Sequence, residues 1–259
     1  MPRQVVSGHT ATTQEMFDFT PERLRFAVVQ LVVLILSIAV HEFGHAFVAD
    51  RLGDRLPRHQ GRVTLNPVAH IDPIGTLALP VLGLLFMGGI GFGWGRPVEV
   101  NPVSFTRKLR MTTAHMLVAA AGPFMNLIFG LFIAGVLAVL IATAVIEPST
   151  HVLRLAAAGS NVSSITPDFD TSLAVGMYGA ILLNFLLMFF NLVPAPPLDG
   201  GTVLPAFLPD RARPAYAEYA KYGMFVVMAI IMIPALARIF VWPATKLFGG
   251  VAALMGLPS

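Results

Sequence analysis

The chain has 259 residues, of which 56% are hydrophobic and 12% charged, with a formal net charge of +3. A mean hydropathy of +0.74 is far above that of a water-soluble domain, and no polar stretch is long enough to fold as a soluble domain by itself. The absence of cysteine excludes disulfides, thiolate metal sites and thiol nucleophiles, so any metal must be held by His and carboxylates.

Residues 1–25 carry mixed charges without the basic start and small-residue cleavage site of a signal peptide, and are expected to form an extramembrane segment. Residues 26–259 are expected to form a single integral-membrane domain. The first apolar run, Phe26 to Val40, flows without a proline into His41-Glu42-Phe43-Gly44-His45 and on to Ala49, which predicts one continuous helix. A polar stretch from Asp50 to about Asp72 follows, with Arg51, Arg55, Arg58 and Arg62. Within it the alternation Arg62-Val63-Thr64-Leu65-Asn66 predicts a short strand or hairpin.

Residues 73–95 are apolar but interrupted by Pro73, Gly75, Pro80 and a glycine-rich run from Gly88 to Gly93, so this segment spans or turns back. Met111 to Ile146 holds no charge and can cross completely, with Gly122-Pro123 predicting a kink near its start. After a turn-rich stretch, 147–172, a helix over about Leu173 to Leu192 runs into Val193-Pro194-Ala195-Pro196-Pro197-Leu198-Asp199-Gly200-Gly201. Tyr222 to about Phe240 is expected to be another span. The resulting expectation is an all-α polytopic membrane protein with about 4–6 transmembrane helices, a re-entrant segment and a short β-hairpin.

Loop charge orients this arrangement. The 50–72, 96–110 and 196–221 loops are rich in Arg and Lys, whereas 147–172 carries Arg154 against Glu147, Asp168 and Asp170. The first three are therefore expected to be cytoplasmic, which is consistent if 73–95 enters and leaves on one side and the N-terminus lies outside. Trp94 and Trp242 suit the membrane interface, and the basic residues are explained by topology rather than by nucleic acid.

On a helix His41 and His45 share one face, about 5–6 Å apart at Cβ, so both imidazoles can reach one metal ion. Glu42 between them is placed to take a proton from a water activated there. Three ionisable groups inside an apolar helix cost several kcal/mol unless paired or metal-bound, which makes the cluster functional by default. A catalytic zinc takes three protein ligands and keeps one position open. Of the remaining candidates, His115 lies near the start of a later helix and Asp72 borders the broken segment; only Asp199 ends a long apolar helix inside an apolar Pro/Gly turn. There the prolines stop the helix and the glycines let the chain bend.

These residues resemble the site-2 protease family of intramembrane zinc metalloproteases, peptidase family M50, in its short form without PDZ or CBS domains. The likeness rests on His41-Glu42-x-x-His45 and on Asn191-x-x-Pro194-x-Pro196-Pro197-Leu198-Asp199-Gly200-Gly201. It extends to Gly61-Arg62-Val63-Thr64-Leu65-Asn66-Pro67, His70-Ile71-Asp72-Pro73, Gly91-Phe92-Gly93-Trp94 and Ala121-Gly122-Pro123-Phe124-Met125-Asn126. It implies a catalytic core of about 26–205, one Zn2+ per chain on His41, His45 and Asp199, and Glu42 as general base. Asn191 would position substrate or stabilise the oxyanion, or else cap and order its loop; Asn126 reads as an interhelical hydrogen bond.

The implied reaction is hydrolysis of peptide bonds in or beside the membrane-spanning helix of a protein substrate, with a regulatory membrane partner possible. The implied location is a bacterial or archaeal cytoplasmic membrane, with the site opening toward the cytoplasm. The 62–66 strand would offer an edge to an unwound substrate, or only pack on the membrane surface. The rivals are a prenyl-protein-processing type of metalloprotease, which would place a glutamate ligand on a later helix, and a non-proteolytic zinc-binding membrane protein, either a transporter or an inactive homologue. A transporter would show more ionisable residues within its helices than this chain does.

Overall fold

The computed structural model describes residues 21–87, 93–147 and 169–257. Helix α1, Pro21–Arg51, carries the His-Glu-x-x-His sequence in its second half and is followed by the single turn α2, Leu56–His59. A π-helical turn at Pro73–Ala78 leads into α3, Leu79–Met87. The long helix α4, Met111–Ala142, and α5, Phe169–Asn191, complete the centre. Beyond them come α6, Asp199–Val203, then α7, Arg213–Ala220, α8, Gly223–Met232, and α9, Pro234–Leu254.

Among the described residues, three helices are long and apolar enough to cross a membrane: Ala27–Arg51, Met111–Ala142 and Ser172–Asn191. A helix pairs its backbone polar groups internally, the condition for spanning hydrocarbon. The span expected over Tyr222 to Phe240 is not one straight helix, because α8 and α9 meet at 84°. Pro234 lacks an N–H and pushes Ile233 out of the helical region to φ −106, ψ 106, which breaks the run. Among the described residues the count is therefore three candidate crossing helices, or four if the bent pair forms one span, against the 4–6 expected.

The expected hairpin at 62–66 is absent, and no strand occurs among the described residues. Alternation there does not mark an inner and an outer face, because Arg62 points inward and is only 4% exposed. Its guanidinium donates to the carbonyls of Ala69 (2.6 Å) and Arg96. His70 Nε2 lies 2.9 Å from the Thr64 carbonyl, and Asn66 Oδ1 accepts from Val68 N to cap the 3-10 turn Pro67–His70. These groups tie the segment into local turns instead of a ladder.

In the 73–95 segment, Asp72 Oδ1 accepts from Ile74 N and Gly75 N and so starts the π-helical turn. The apolar helix from Pro73 to Gly83 is too short to cross. Residues 88–92, where the expected turn would fall, lie outside the described residues, as do 1–20 of the expected N-terminal segment. On the return, Trp94 N donates to Gly75 O at 3.2 Å and Arg96 N to His70 O at 2.9 Å, so 94–96 runs beside 70–75.

Helices α1, α4 and α5 pack together, and close approach of α1 to α4 needs Gly44: a Cβ there would stand 2.7 Å from the Ala121 carbonyl oxygen. Leu137, Tyr178, Ile181, Phe185 and Phe248 form the main buried cluster, shared by α4, α5 and α9. At the end of α1, buried Asp54 accepts from Leu56 N and Asn101 N, while buried Asp50 takes Arg55 and Arg58. These bonds pin the 50–62 and 93–106 connections over the end of the helix that carries the histidines.

Candidate metal centre

The i, i+4 spacing puts His41 and His45 on the face of α1 that meets α4. Their Nε2 atoms lie 3.0 Å apart. Asp199, the first residue of α6, brings Oδ2 to 3.2 Å from His41 Nε2 and Oδ1 to 3.4 Å from His45 Nε2. All three donors lie within 4.8 Å of one another, a grouping that could hold a metal ion. Gly122 on α4 makes room for it, since a Cβ there would fall 2.3 Å from His45 Nε2 and 2.7 Å from His41 Cε1.

The protonation of this cluster follows from its hydrogen bonds. Asn184 Nδ2 donates to the Ala180 carbonyl (2.9 Å) and the Ser37 hydroxyl (3.0 Å), which turns Asn184 Oδ1 toward Asn126. Asn126 Nδ2 donates to that oxygen (3.0 Å) and to the Ser37 carbonyl (3.2 Å), so Asn126 Oδ1 must accept from His41 Nδ1, 2.6 Å away. His45 Nδ1 likewise donates to the Val118 carbonyl at 2.7 Å. With both Nδ1 atoms protonated, each neutral ring has a bare lone pair on Nε2.

Two bare lone pairs 3.0 Å apart, facing a carboxylate, call for positive charge among them, which a metal ion or a proton on one Nε2 would supply. Asp199 Oδ2 is buried and makes no hydrogen bond, although His41 Nε2 is close by. A tetrahedral zinc with bonds of about 2.0–2.2 Å spaces its ligands about 3.3 Å apart; the Nε2–Nε2 separation of 3.0 Å and the approach of one Asp199 oxygen to each ring, Oδ2 at 3.2 Å and Oδ1 at 3.4 Å, are of that size. The residues present thus fit zinc with three protein ligands and one open position.

Glu42 points into the same cavity of about 230 Å3, which is also lined by Val98, His115, Asn191 and Thr202. Glu42 Oε2 accepts from the Val98 N–H at 3.1 Å and lies 4.0 Å from Arg62 Nη2, so one oxygen of the carboxylate is anchored. Asn191 lines the cavity while its Nδ2 back-bonds to the Leu187 carbonyl at 2.9 Å. His115 lines the cavity but is not one of the clustered donors.

The chain matches the profile of Peptidase family M50 over residues 29–234, most of its length. The chain belongs to Peptidase family M50. Among curated proteins, this M50 chain is 37% identical over 213 residues to YwhC of Bacillus subtilis (strain 168), covering 82% of this chain and 84% of the relative. It is 31% identical over 210 residues to Rip2 of Mycolicibacterium smegmatis, with 80% and 67% covered. It is also 31% identical over 223 residues to Rip2 of Mycobacterium tuberculosis strain H37Rv, with 84% and 73% covered. All three are named as candidate zinc metalloproteases. No solved structure matches the chain.

Sequence reasoning passed over part of the M50 site. Asn126 does bond between helices, and its partner is a metal-cluster histidine. Ser37 and Asn184 were not singled out, although a polar side chain inside an apolar span is the available signal. Arg62 was read as loop charge and as part of the expected 62–66 strand and not as a neighbour of Glu42, and the Val98 N–H is backbone, for which the sequence carries no signal.

Proposed function

We propose that this M50 zinc metalloprotease hydrolyses peptide bonds in or next to the transmembrane segments of membrane-protein substrates. The observation that carries this reading is depth: His41 and His45 lie within the span Ala27–Arg51, about 9–15 Å from its Arg51 end at 1.5 Å per residue. A substrate cut at such a site must bring its own backbone to membrane depth.

Zinc there would polarise the substrate carbonyl and lower the pKa of a water in the open position. His41, His45 and Asp199 hold it, and Asn126 and the Val118 carbonyl keep the two rings in the ligating tautomer. Glu42, anchored by the Val98 N–H, accepts the water proton at its carboxylate and returns it to the leaving amine. Asn191, at the cavity wall, is the candidate donor to the oxyanion or to the substrate backbone. The segment 73–95 re-enters on the side it leaves, which agrees with its bonded ends and its short helix. The site opens to the cytoplasm, beside the arginine-rich connections. Control of the site by a regulatory membrane partner belongs to the same reading.

Replacing Glu42 by Gln keeps the ligands and removes the base. Membrane proteomics of cells carrying wild type or Glu42→Gln should show uncut substrates accumulating only in the variant. Identical membrane proteomes under every growth condition, with both proteins carrying zinc, would sink the proteolytic reading.

A further inference from the structure

The three ligands are not held alike. Each histidine has its second ring nitrogen fixed by a neighbour, whereas Asp199 Oδ2 is buried without a hydrogen-bond partner among the described residues, and the carboxylate faces only the two histidines. Its aim therefore depends on the backbone that carries it, the turn from Leu192 to Leu198 and the glycines Gly200 and Gly201. Such a turn needs an outside restraint to hold a ligand within about 0.5 Å.

The restraint comes from α7. Tyr216 donates its hydroxyl to the Gly201 carbonyl, and Tyr219 donates to the Pro194 carbonyl at 3.0 Å. The two acceptors bracket Asp199, one on each side. The two tyrosines are three residues apart on one helix face, with ring centroids 5.7 Å apart. Helix α7 itself has no buried residue and carries Arg213 and Glu218, so it lies on the surface. Resting on the zinc reading above, we propose that Tyr216 and Tyr219 are positioning residues for Asp199, so that this surface helix sets the affinity of the metal site. Any partner that shifts α7 would then change zinc occupancy without touching the cavity.

The test uses the full-length protein in detergent, as wild type, Tyr216→Phe, Tyr219→Phe and the double variant, with Tyr222→Phe as an exposed control. Zinc affinity is read by competition with a chelator, and ligand geometry by the visible absorption of the Co2+-substituted protein. Each single variant should weaken zinc several-fold and the double variant about 10- to 100-fold. The double variant should also show an altered Co2+ spectrum, while the melting temperature of the metal-free protein stays that of wild type. A double variant with wild-type zinc affinity and Co2+ spectrum overturns the inference. So does a loss of zinc matched by an equal loss of metal-free stability, which would mean that the hydroxyls only hold the fold. Wild type that binds no zinc would instead overturn the metal reading itself.

Discussion

At the residue scale the site is a chain of forced hydrogen bonds ending on His41. Asn126 accepts from His41 Nδ1 and donates to two fixed oxygens, so its replacement leaves several buried polar groups unpaired at once. Each such group costs about 1–3 kcal/mol. Asn126→Leu should therefore lower zinc affinity about 10- to 100-fold, measured by chelator competition on purified protein. Wild-type affinity in that variant would show that the tautomer of His41 is set elsewhere. The identity of Asn126 was readable as a polar residue in an apolar run; its partner, 85 residues away, was not. Arg62 makes the same point in reverse, since its charge suggested a cytoplasmic loop while its side chain is buried 4.0 Å from Glu42.

At the element scale the decisive feature is how closely α4 passes the histidine face of α1. A Cβ on Gly122 would overlap both imidazoles, so Gly122→Ala should abolish stoichiometric zinc binding, as read by metal analysis after purification. Gly249→Ala, on α9, adds a methyl with nothing within 4 Å and should leave zinc unchanged. Equal zinc content in both variants would place the metal away from the α1–α4 contact. The elements with strong periodic or apolar character, α1, α4 and α5, were legible because hydropathy acts locally. The 62–66 hairpin failed because alternation over five residues cannot tell a strand from turns held by Arg62, Asn66 and His70. The break at Ile233 was signalled by Pro234, but its 84° angle depends on the packing of α8 and α9.

At the scale of the whole molecule, the proposed orientation rests on where the basic connections cluster. The Arg51 end of α1, the Arg110 end of α4 and the loop after α5 carry them, and the metal cluster lies just beneath. This predicts an N-terminus on the outer face, so a reporter fused there should be active only outside the cytoplasm. Cytoplasmic activity would reverse the topology and move the opening of the site to the other side.

The sequence by itself determined the membrane class, the pairing of His41 with His45 and the position of Glu42 between them, because these rest on composition and on the 3.6-residue period of one helix. It also narrowed the candidates for a third ligand to Asp199 by elimination. Only the tertiary structure decided that Asp199 meets the histidines, that Asn126, Asn184 and Ser37 fix the ring beneath it, and that the Val98 N–H anchors Glu42. Those contacts join residues from 56 positions apart (Glu42 and Val98) to 158 positions apart (His41 and Asp199), and no local propensity specifies which distant groups a fold brings into contact.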